Sequence, residues 1–241
     1  MFINQLTLIQ SLNMVKVLFY GHGCFGANVN GYDLLFDPFI TPNEKANHIN
    51  IDEIPADYIL ISHGHEDHIA DVEKIAKRTG AKLISNFEII SWFSTKHDIK
   101  DGHPMNHGGS WEFDFGKVKY VNAIHSSTLP DGDSGGNPGG FIIESKNDCF
   151  YYAGDTALHM DMKLIPMQFN LDFALFPIGD NFTMGVDDAI IAAEFVETNK
   201  IIGLHYDTFG FIEIDHQDAI EKFKNKNLTL LLPNIGEEIT L

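Results

Sequence analysis

The apolar positions of this chain fall into short runs with the two-residue period of strands, separated by stretches where the spacing widens to that of helices. Residues 15–20 and 24–29 are β-rich runs divided by glycines, and Asn30-Gly31 is a hairpin turn ahead of residues 32–36. An antiparallel meander is therefore expected to open the fold. Residues 58–62 form a short apolar run of the kind buried on both faces of a sheet. Ile69, Val72, Ile75 and Ala76 then carry helical spacing over residues 69–78, with Gly80 as the C-terminal cap and residues 82–85 as the next strand.

Further along, residues 111–115 and 117–124 make a strand pair around Gly116, with His125 at its exit. Residues 141–144 and 149–153 flank a Lys146-Asn147-Asp148 hairpin, and the second strand runs into Gly154-Asp155. Residues 173–176 read as a buried strand. Asp187 or Asp188 is expected to cap an alanine-rich helix through Thr198, and the strand at 200–204 ends at His205. A helix over 215–226 and a strand over 228–232 repeat the scheme. Meanders followed by alternating helices and strands, twice over, predict two packed mixed sheets with helices on the outer faces, a four-layer αββα sandwich.

One stretch is not explained by packing. His63-Gly64-His65-Glu66-Asp67-His68 places three imidazoles and a carboxylate directly behind an apolar run. Imidazole nitrogens and carboxylate oxygens are ligands of a borderline divalent ion such as zinc, and alternate residues leaving a strand converge on one side. Asp67-His68 would turn toward a second point, so the run predicts a cradle for two metal ions. Other candidate ligands, His125, Asp155 and His205, also follow strand-like runs, so one rim of the sandwich could collect them all.

Composition narrows the surroundings. At 241 residues and 44% hydrophobic content, the chain can bury a full core. A single domain over 14–241 is expected, with 1–13 as an N-terminal extension of no assigned role. The formal charge of −18, from 34 acidic against 16 basic residues, argues against a nucleic-acid partner, since phosphate binding draws on lysine and arginine. A small-molecule substrate is expected, and bound cations would leave an anionic one open. Cys24 and Cys149 sit in apolar surroundings and read as buried free thiols of a reducing compartment. No apolar run approaches a membrane span and residues 1–13 lack signal-peptide features, so the expected location is cytoplasmic and free of membrane. Oligomeric state leaves no mark on the sequence.

The chain resembles the metallo-β-lactamase superfamily of metal-dependent hydrolases. The matching features are Asp37 in Leu35-Phe36-Asp37-Pro38, the run from His63 to His68, His125, Asp155 in Ala153-Gly154-Asp155-Thr156, and His205. Within it the chain is similar to small hydrolases related to ascorbate-6-phosphate lactonase, through Gly21-His22-Gly23-Cys24-Phe25, His125-Ser126-Ser127 and Gly179-Asp180-Asn181-Phe182-Thr183-Met184-Gly185. The resemblance implies the metallo-β-lactamase fold, with His63, His65 and His125 on one metal, Asp67, His68 and His205 on the other, and Asp155 bridging them. Zinc is the ion expected first, with manganese, iron or nickel as alternatives for this donor set. The implied activity is cleavage of a small ester, lactone or phosphoester by a metal-bound hydroxide, with Asp67 also passing a proton to the leaving group.

Around these ligands, Asp37 is expected either to orient a ligand histidine or to cap a turn. His22 is read as a contact to substrate or metal-bound oxygen, or as a hydrogen-bonded turn histidine. Asn181 could donate to a substrate oxygen or stabilise its own turn. Gly23 stands where relatives often carry a small hydroxyl residue. His103, His107, His159 and His216 are read as solvated or supporting, and Trp111, Phe113 and Phe115 as core. Residues 40–54, 98–110 and 128–139 are expected as loops that shape the pocket. The alternatives to a small-molecule hydrolase are a nuclease of the same superfamily, which the charge disfavours, and a non-catalytic metal-binding or regulatory protein on the same scaffold. A flavodiiron enzyme would carry Glu at the place of His65.

Overall fold

The computed structural model describes residues 15–241, so the extension expected at 1–13 lies outside the described residues. The opening meander is present as β1 (Lys16–Gly21), β2 (Cys24–Val29) and β3 (Tyr32–Phe36), paired antiparallel in sequence order. β4 (Tyr58–Leu60), β5 (Lys82–Asn86) and β6 (Gly102–Met105) extend this sheet as parallel strands. The second sheet repeats the scheme. β7 (Ser110–Phe113), β8 (Gly116–Asn122), β9 (Gly139–Glu144) and β10 (Cys149–Tyr152) are antiparallel neighbours. β11 (Phe173–Pro177), β12 (Lys200–Leu204) and β13 (Thr229–Leu231) continue it in parallel. The chain then returns to the first sheet, where β14 (Glu238–Thr240) pairs with β1 and was not anticipated.

Side-chain alternation turns these sheets into layers. On β10, Phe150 and Tyr152 enter the cluster between the sheets, while Cys149 and Tyr151 enter the cluster on the outer face. Leu34 and Phe36 face inward on β3, and Leu35 between them faces out. A period of two with both faces apolar is what a sheet covered on both sides requires. The inner layer interlocks through aromatic rings: Phe36 stacks on Phe25 at 4.3 Å and meets Phe141 of the other sheet edge-on at 6.5 Å.

α1 (Glu66–Ile69), α2 (Val72–Thr79) and α3 (Phe87–Lys96) cover the first sheet, and α4 (Val186–Phe195) and α5 (His216–Lys224) cover the second. The expected αββα sandwich is therefore the observed architecture.

Several local expectations are corrected. The helix expected over 69–78 is broken at Ala70-Asp71, because the Asp71 carboxylate turns away to accept the backbone N–H groups of Ile40 (2.6 Å) and Thr41 (2.8 Å). α3 was not expected. Its signal is Asn86, whose side chain accepts the Ile89 N–H at 3.0 Å, followed by a buried face of Ile89, Ile90 and Phe93. The loop expected at 98–110 contains β6. At α4 the N-cap is Gly185, and Asp187 and Asp188 instead sit in the first turn, where carboxylates meet the positive end of the helix dipole. Trp111 is not core: it lies on the edge strand β7, 55% exposed, with its ring against His103. Cys24 and Cys149 are free and buried, and no described helix is long and apolar enough to cross a membrane.

Candidate metal centre

Each candidate ligand leaves the same rim of the sandwich. Asp37 follows β3, His63 follows β4 and His205 follows β12. Asp155 lies three residues beyond β10, after Gly154, and His125 three residues beyond β8. α1 begins immediately after His65 and so lifts Asp67 and His68 to the same point. Asp37 (φ 43°) and His205 (φ 55°) both adopt left-handed backbone to turn their side chains back over the strand ends.

The structure brings the seven expected ligands to one rim, and four of the histidines point a nitrogen at a single atom. Asp155 Oδ2 lies 3.0 Å from His205 Nε2, 3.3 Å from His68 Nε2, 3.6 Å from His125 Nε2 and 3.9 Å from His63 Nε2. On one side His63, His65 and His125 form a compact group, with His63 Nε2 at 3.0 Å from His65 Nδ1. On the other side Asp67, His68 and His205 group together and are joined by His22. These groupings coincide with the two sets that the family resemblance implies.

Buried nitrogens supply the test of whether an ion fits. His68 Nε2 and both ring nitrogens of His205 are buried without a hydrogen-bond partner, and all three histidines nearest Asp155 bring a nitrogen to its carboxylate. Unpaired buried nitrogens are costly, and a divalent cation among them satisfies several at once. The donor set fits such an ion: borderline nitrogens and hard carboxylate oxygens, in the mixture that zinc and its neighbours accept.

Hydrogen bonds behind the cluster fix which nitrogen faces it. Asp37 is fully buried and accepts four donors: Ser62 N–H (2.7 Å), Ser62 Oγ–H (2.5 Å), Tyr152 O–H (2.6 Å) and His68 Nδ1–H (2.8 Å). His68 donates from Nδ1 to Asp37 and so turns Nε2 toward Asp155; burial lowers its pKa, but Asp155 and then Asp37 outweigh burial and hold it well above the ordinary imidazole value. Ser62 Oγ, its proton committed to Asp37, accepts from His63 Nδ1 at 2.9 Å and leaves His63 Nε2 facing the cluster. Asp37 thus occupies the orienting position. Burial first, and then the Asp37 carboxylate, raise the Tyr152 hydroxyl well above its ordinary value, so it remains a donor.

Charge in the cluster follows from the same burial. Desolvation holds His63, His65 and His125 below the ordinary imidazole value, which keeps their lone pairs free for an ion. For Asp155, burial pushes the carboxyl up, but His205 and His68 outweigh it and leave it well below the usual range. Asp67 behaves alike: burial raises it, and the His22 hydrogen bond and His68 bring it below its usual value.

His22 is buried and does not reach the cleft. Its Nε2 lies 3.1 Å from Asp67 Oδ2 and its Nδ1 2.9 Å from Thr208 Oγ, so both nitrogens are engaged within the protein. Burial, and next His205, lower its pKa to about 3. A neutral ring donating through Nε2 to Asp67 and accepting from Thr208 fits both contacts. Asn181 lies exposed in a left-handed turn, where its backbone N–H donates to Asp180 Oδ1 at 2.8 Å, so the side chain that braces this turn is that of Asp180. Gly23 makes room for His68, because a Cβ there would come within 2.9 Å of the imidazole Cε1. A close approach of the same kind fixes Gly179, whose Cβ would meet the His205 carbonyl oxygen at 2.2 Å. Gly179→Ala is expected to cost about 1–3 kcal/mol, read as a lowered midpoint of denaturant unfolding.

Over the cluster opens a cleft of about 600 Å³, lined by His65, Asp67, His125, Asp155 and His205 on its floor. Ser126 stands on one wall, its Oγ 3.2 Å from His65 Nε2. Opposite, Phe182, Phe209 and Phe211 form an aromatic wall that is 51%, 39% and 78% exposed. Sequence reasoning missed Ser62, Tyr152, Thr208 and this wall. Ser62 and Tyr152 had a faint signal, a polar group on a buried strand next to a ligand; the phenylalanines had none, since they reach the cleft only through loop conformation.

Comparison with known proteins agrees with this geometry. The sequence profile of the beta-lactamase superfamily domain matches residues 16–205. A UPF0173 metal-dependent hydrolase of Flavobacterium johnsoniae is 57% identical over 227 residues, covering 94% of this chain and 100% of the relative. A protein of the same description from Christiangramia forsetii is 57% identical over 228 residues, with 94% and 100% covered. Among solved structures, the metallo hydrolase Igni18 of Ignicoccus hospitalis superposes with a TM-score of 0.84 at 31% identity, covering 95% of this chain and 98% of that one. The chain belongs to the metallo-β-lactamase superfamily of metal-dependent hydrolases.

Proposed function

We propose that this hydrolase holds two divalent ions, one on His63, His65 and His125 and the other on Asp67, His68 and His205, with Asp155 shared, and cleaves a small uncharged ester or lactone that carries an apolar group. The observation that carries the reading is the position of Asp155 Oδ2, within 3.0–3.9 Å of a nitrogen from each of four histidines on both sides of it. Bound ions would polarise a substrate oxygen and acidify a water to near neutral pH.

The chain's own residues supply the rest. Asp67 lines the cleft with its carboxylate held by His22, where it can take the proton of an attacking water and pass it to the leaving group. Phe182, Phe209 and Phe211 offer an apolar surface that excludes water from one side of a bound substrate. No lysine or arginine lines this cleft, and the whole chain carries a net −18, so nothing but the ions would attract a phosphate. A neutral acyl substrate fits this lining better than a phosphoester.

Elemental analysis of the purified chain, followed by assay of zinc- and manganese-loaded protein on aryl esters, lactones, thioesters and phosphodiesters, tests the reading. Two ions per chain and turnover of a neutral ester or lactone are expected. Phe211→Ala, which trims the exposed aromatic wall, is expected to raise KM several-fold with kcat nearly unchanged, the mark of a group that binds ground state and transition state alike. Flat kinetics at full metal occupancy would reassign the chain to the non-catalytic scaffold, and turnover confined to phosphodiesters would overturn the substrate class.

A further inference from the structure

A second cleft lies on the outer face of the second sheet, away from the cluster of histidines. It encloses about 250 Å³ between β8, β9, β10 and the 3-10 turn Met160–Leu164. Its walls are apolar: Val121, Ile142, Ile165 and Phe169. Two of the polar side chains that line it are buried without a hydrogen-bond partner. The Tyr151 hydroxyl is buried and unpaired, and His159, only 8% exposed, has both ring nitrogens buried and unpaired. Of the two readings of His159, solvated or supporting, the solvated one is thereby corrected, because the 3-10 turn folds over it.

Two unsatisfied polar groups at one apolar cleft are unusual in a folded core. Each carries a desolvation penalty that a partner would relieve. The other polar groups lie at the exposed rim: Lys119 Nζ donates to the Gly108 carbonyl at 3.1 Å, Asp161 accepts from Asn122 Nδ2 at 2.9 Å, and Gln168 is exposed. Lys119 and Asp161 also cancel in formal charge, so the rim favours neither sign. Burial holds His159 below the ordinary imidazole value, and a neutral ring offers one N–H donor and one acceptor nitrogen. With the Tyr151 hydroxyl, the cleft can both donate to and accept from a single polar group. Its volume falls below the ~300 Å³ at which sites for drug-sized ligands begin, so the occupant is a single ring or a short chain.

We propose that this cleft is a second small-molecule site, selective for an uncharged molecule with an apolar body and one hydroxyl or carbonyl group that pairs with Tyr151 and His159. It is independent of the metal chemistry, though its walls run into the metal-site loops. Asn122 stands three residues before His125 and His159 four after Asp155, and the two loops are joined by the Ala157 N–H to Ile124 carbonyl bond (3.1 Å).

Titration of the metal-loaded, isotope-labelled full chain with p-cresol and with toluene, followed by amide chemical shifts, tests the site. The expected result is saturable perturbation at Val121, Ile142 and Tyr151, with p-cresol bound about tenfold more tightly than toluene. Tyr151→Phe, which keeps the ring, should weaken p-cresol about tenfold, leave toluene unchanged and leave hydrolysis at the metal centre unchanged. Val121→Trp, which fills the cleft, should abolish both. Equal affinities for the two probes, perturbation confined to Phe182, Phe209 and Phe211, or no saturable shift at millimolar p-cresol would each overturn the proposal.

Discussion

His65→Ala is expected to lower kcat/KM of the metal-loaded enzyme by at least about 10³-fold while changing its stability by less than about 1 kcal/mol. The separation of the two effects follows from where His65 sits. It is half-buried on the floor of the cleft, with Nδ1 beside His63 and Nε2 beside Ser126, and it anchors no part of the core. Removing its imidazole takes one donor from the group with His63 and His125 and leaves the Asp37 hub intact. Metal analysis should then show one ion weakened or lost. His22→Gln makes the companion measurement. It leaves the proposed ligand set whole but loosens the hold on Asp67, so a loss of about 10–100-fold is expected, the range typical of groups that orient a ligand. Turnover by His65→Ala within threefold of the parent would sink the two-ion assignment.

How much of this was legible beforehand depended on which interactions each residue uses. The convergence of His63, His65, Asp67, His68, His125, Asp155 and His205 could be read from the sequence because each candidate is a chemically distinctive residue at or just beyond a strand-like run, and strand ends in an αββα sandwich collect on a rim. The layer order followed from the same periodicity. What escaped depended on contacts between distant segments. Tyr152 reaches Asp37 across the gap between the sheets, and Thr208 reaches His22 from a loop near the other end of the chain. His159 reads as an ordinary polar residue until the Met160–Leu164 turn buries it. α3 was hidden because exposed Phe87 and half-buried Trp92 add apolar positions beside the buried face of Ile89, Ile90 and Phe93, which blurs the helical period.

Asp37→Ala is expected to be the most destabilising single change at the site, by about 3–5 kcal/mol, which corresponds to a fall in Tm of roughly 10 °C for a chain of this size. Asp37 itself touches no solvent, and it accepts all four donors at 2.5–2.8 Å. Deleting the carboxylate strands the Ser62 N–H, the Tyr152 hydroxyl and the His68 Nδ1–H in a dry interior, each at a cost of about 1–3 kcal/mol before relaxation. Losing the desolvated charge returns part of that cost, which is why the sum is set below the total of the separate penalties. Asp37→Asn separates packing from charge. It keeps the shape and tolerates the left-handed backbone at φ 43°, but its amide turns one acceptor into a donor facing other donors. A smaller loss of stability is expected, together with metal binding weakened about 10–100-fold, because His68 is no longer held with Nε2 toward Asp155. Tyr152→Phe, which removes one donor and leaves three, should cost about 1 kcal/mol and leave metal content unchanged. Denaturant unfolding and elemental analysis of the three variants rank the two functions of this carboxylate. Unchanged stability in Asp37→Ala would mean that this buried carboxylate does not hold the strand ends together.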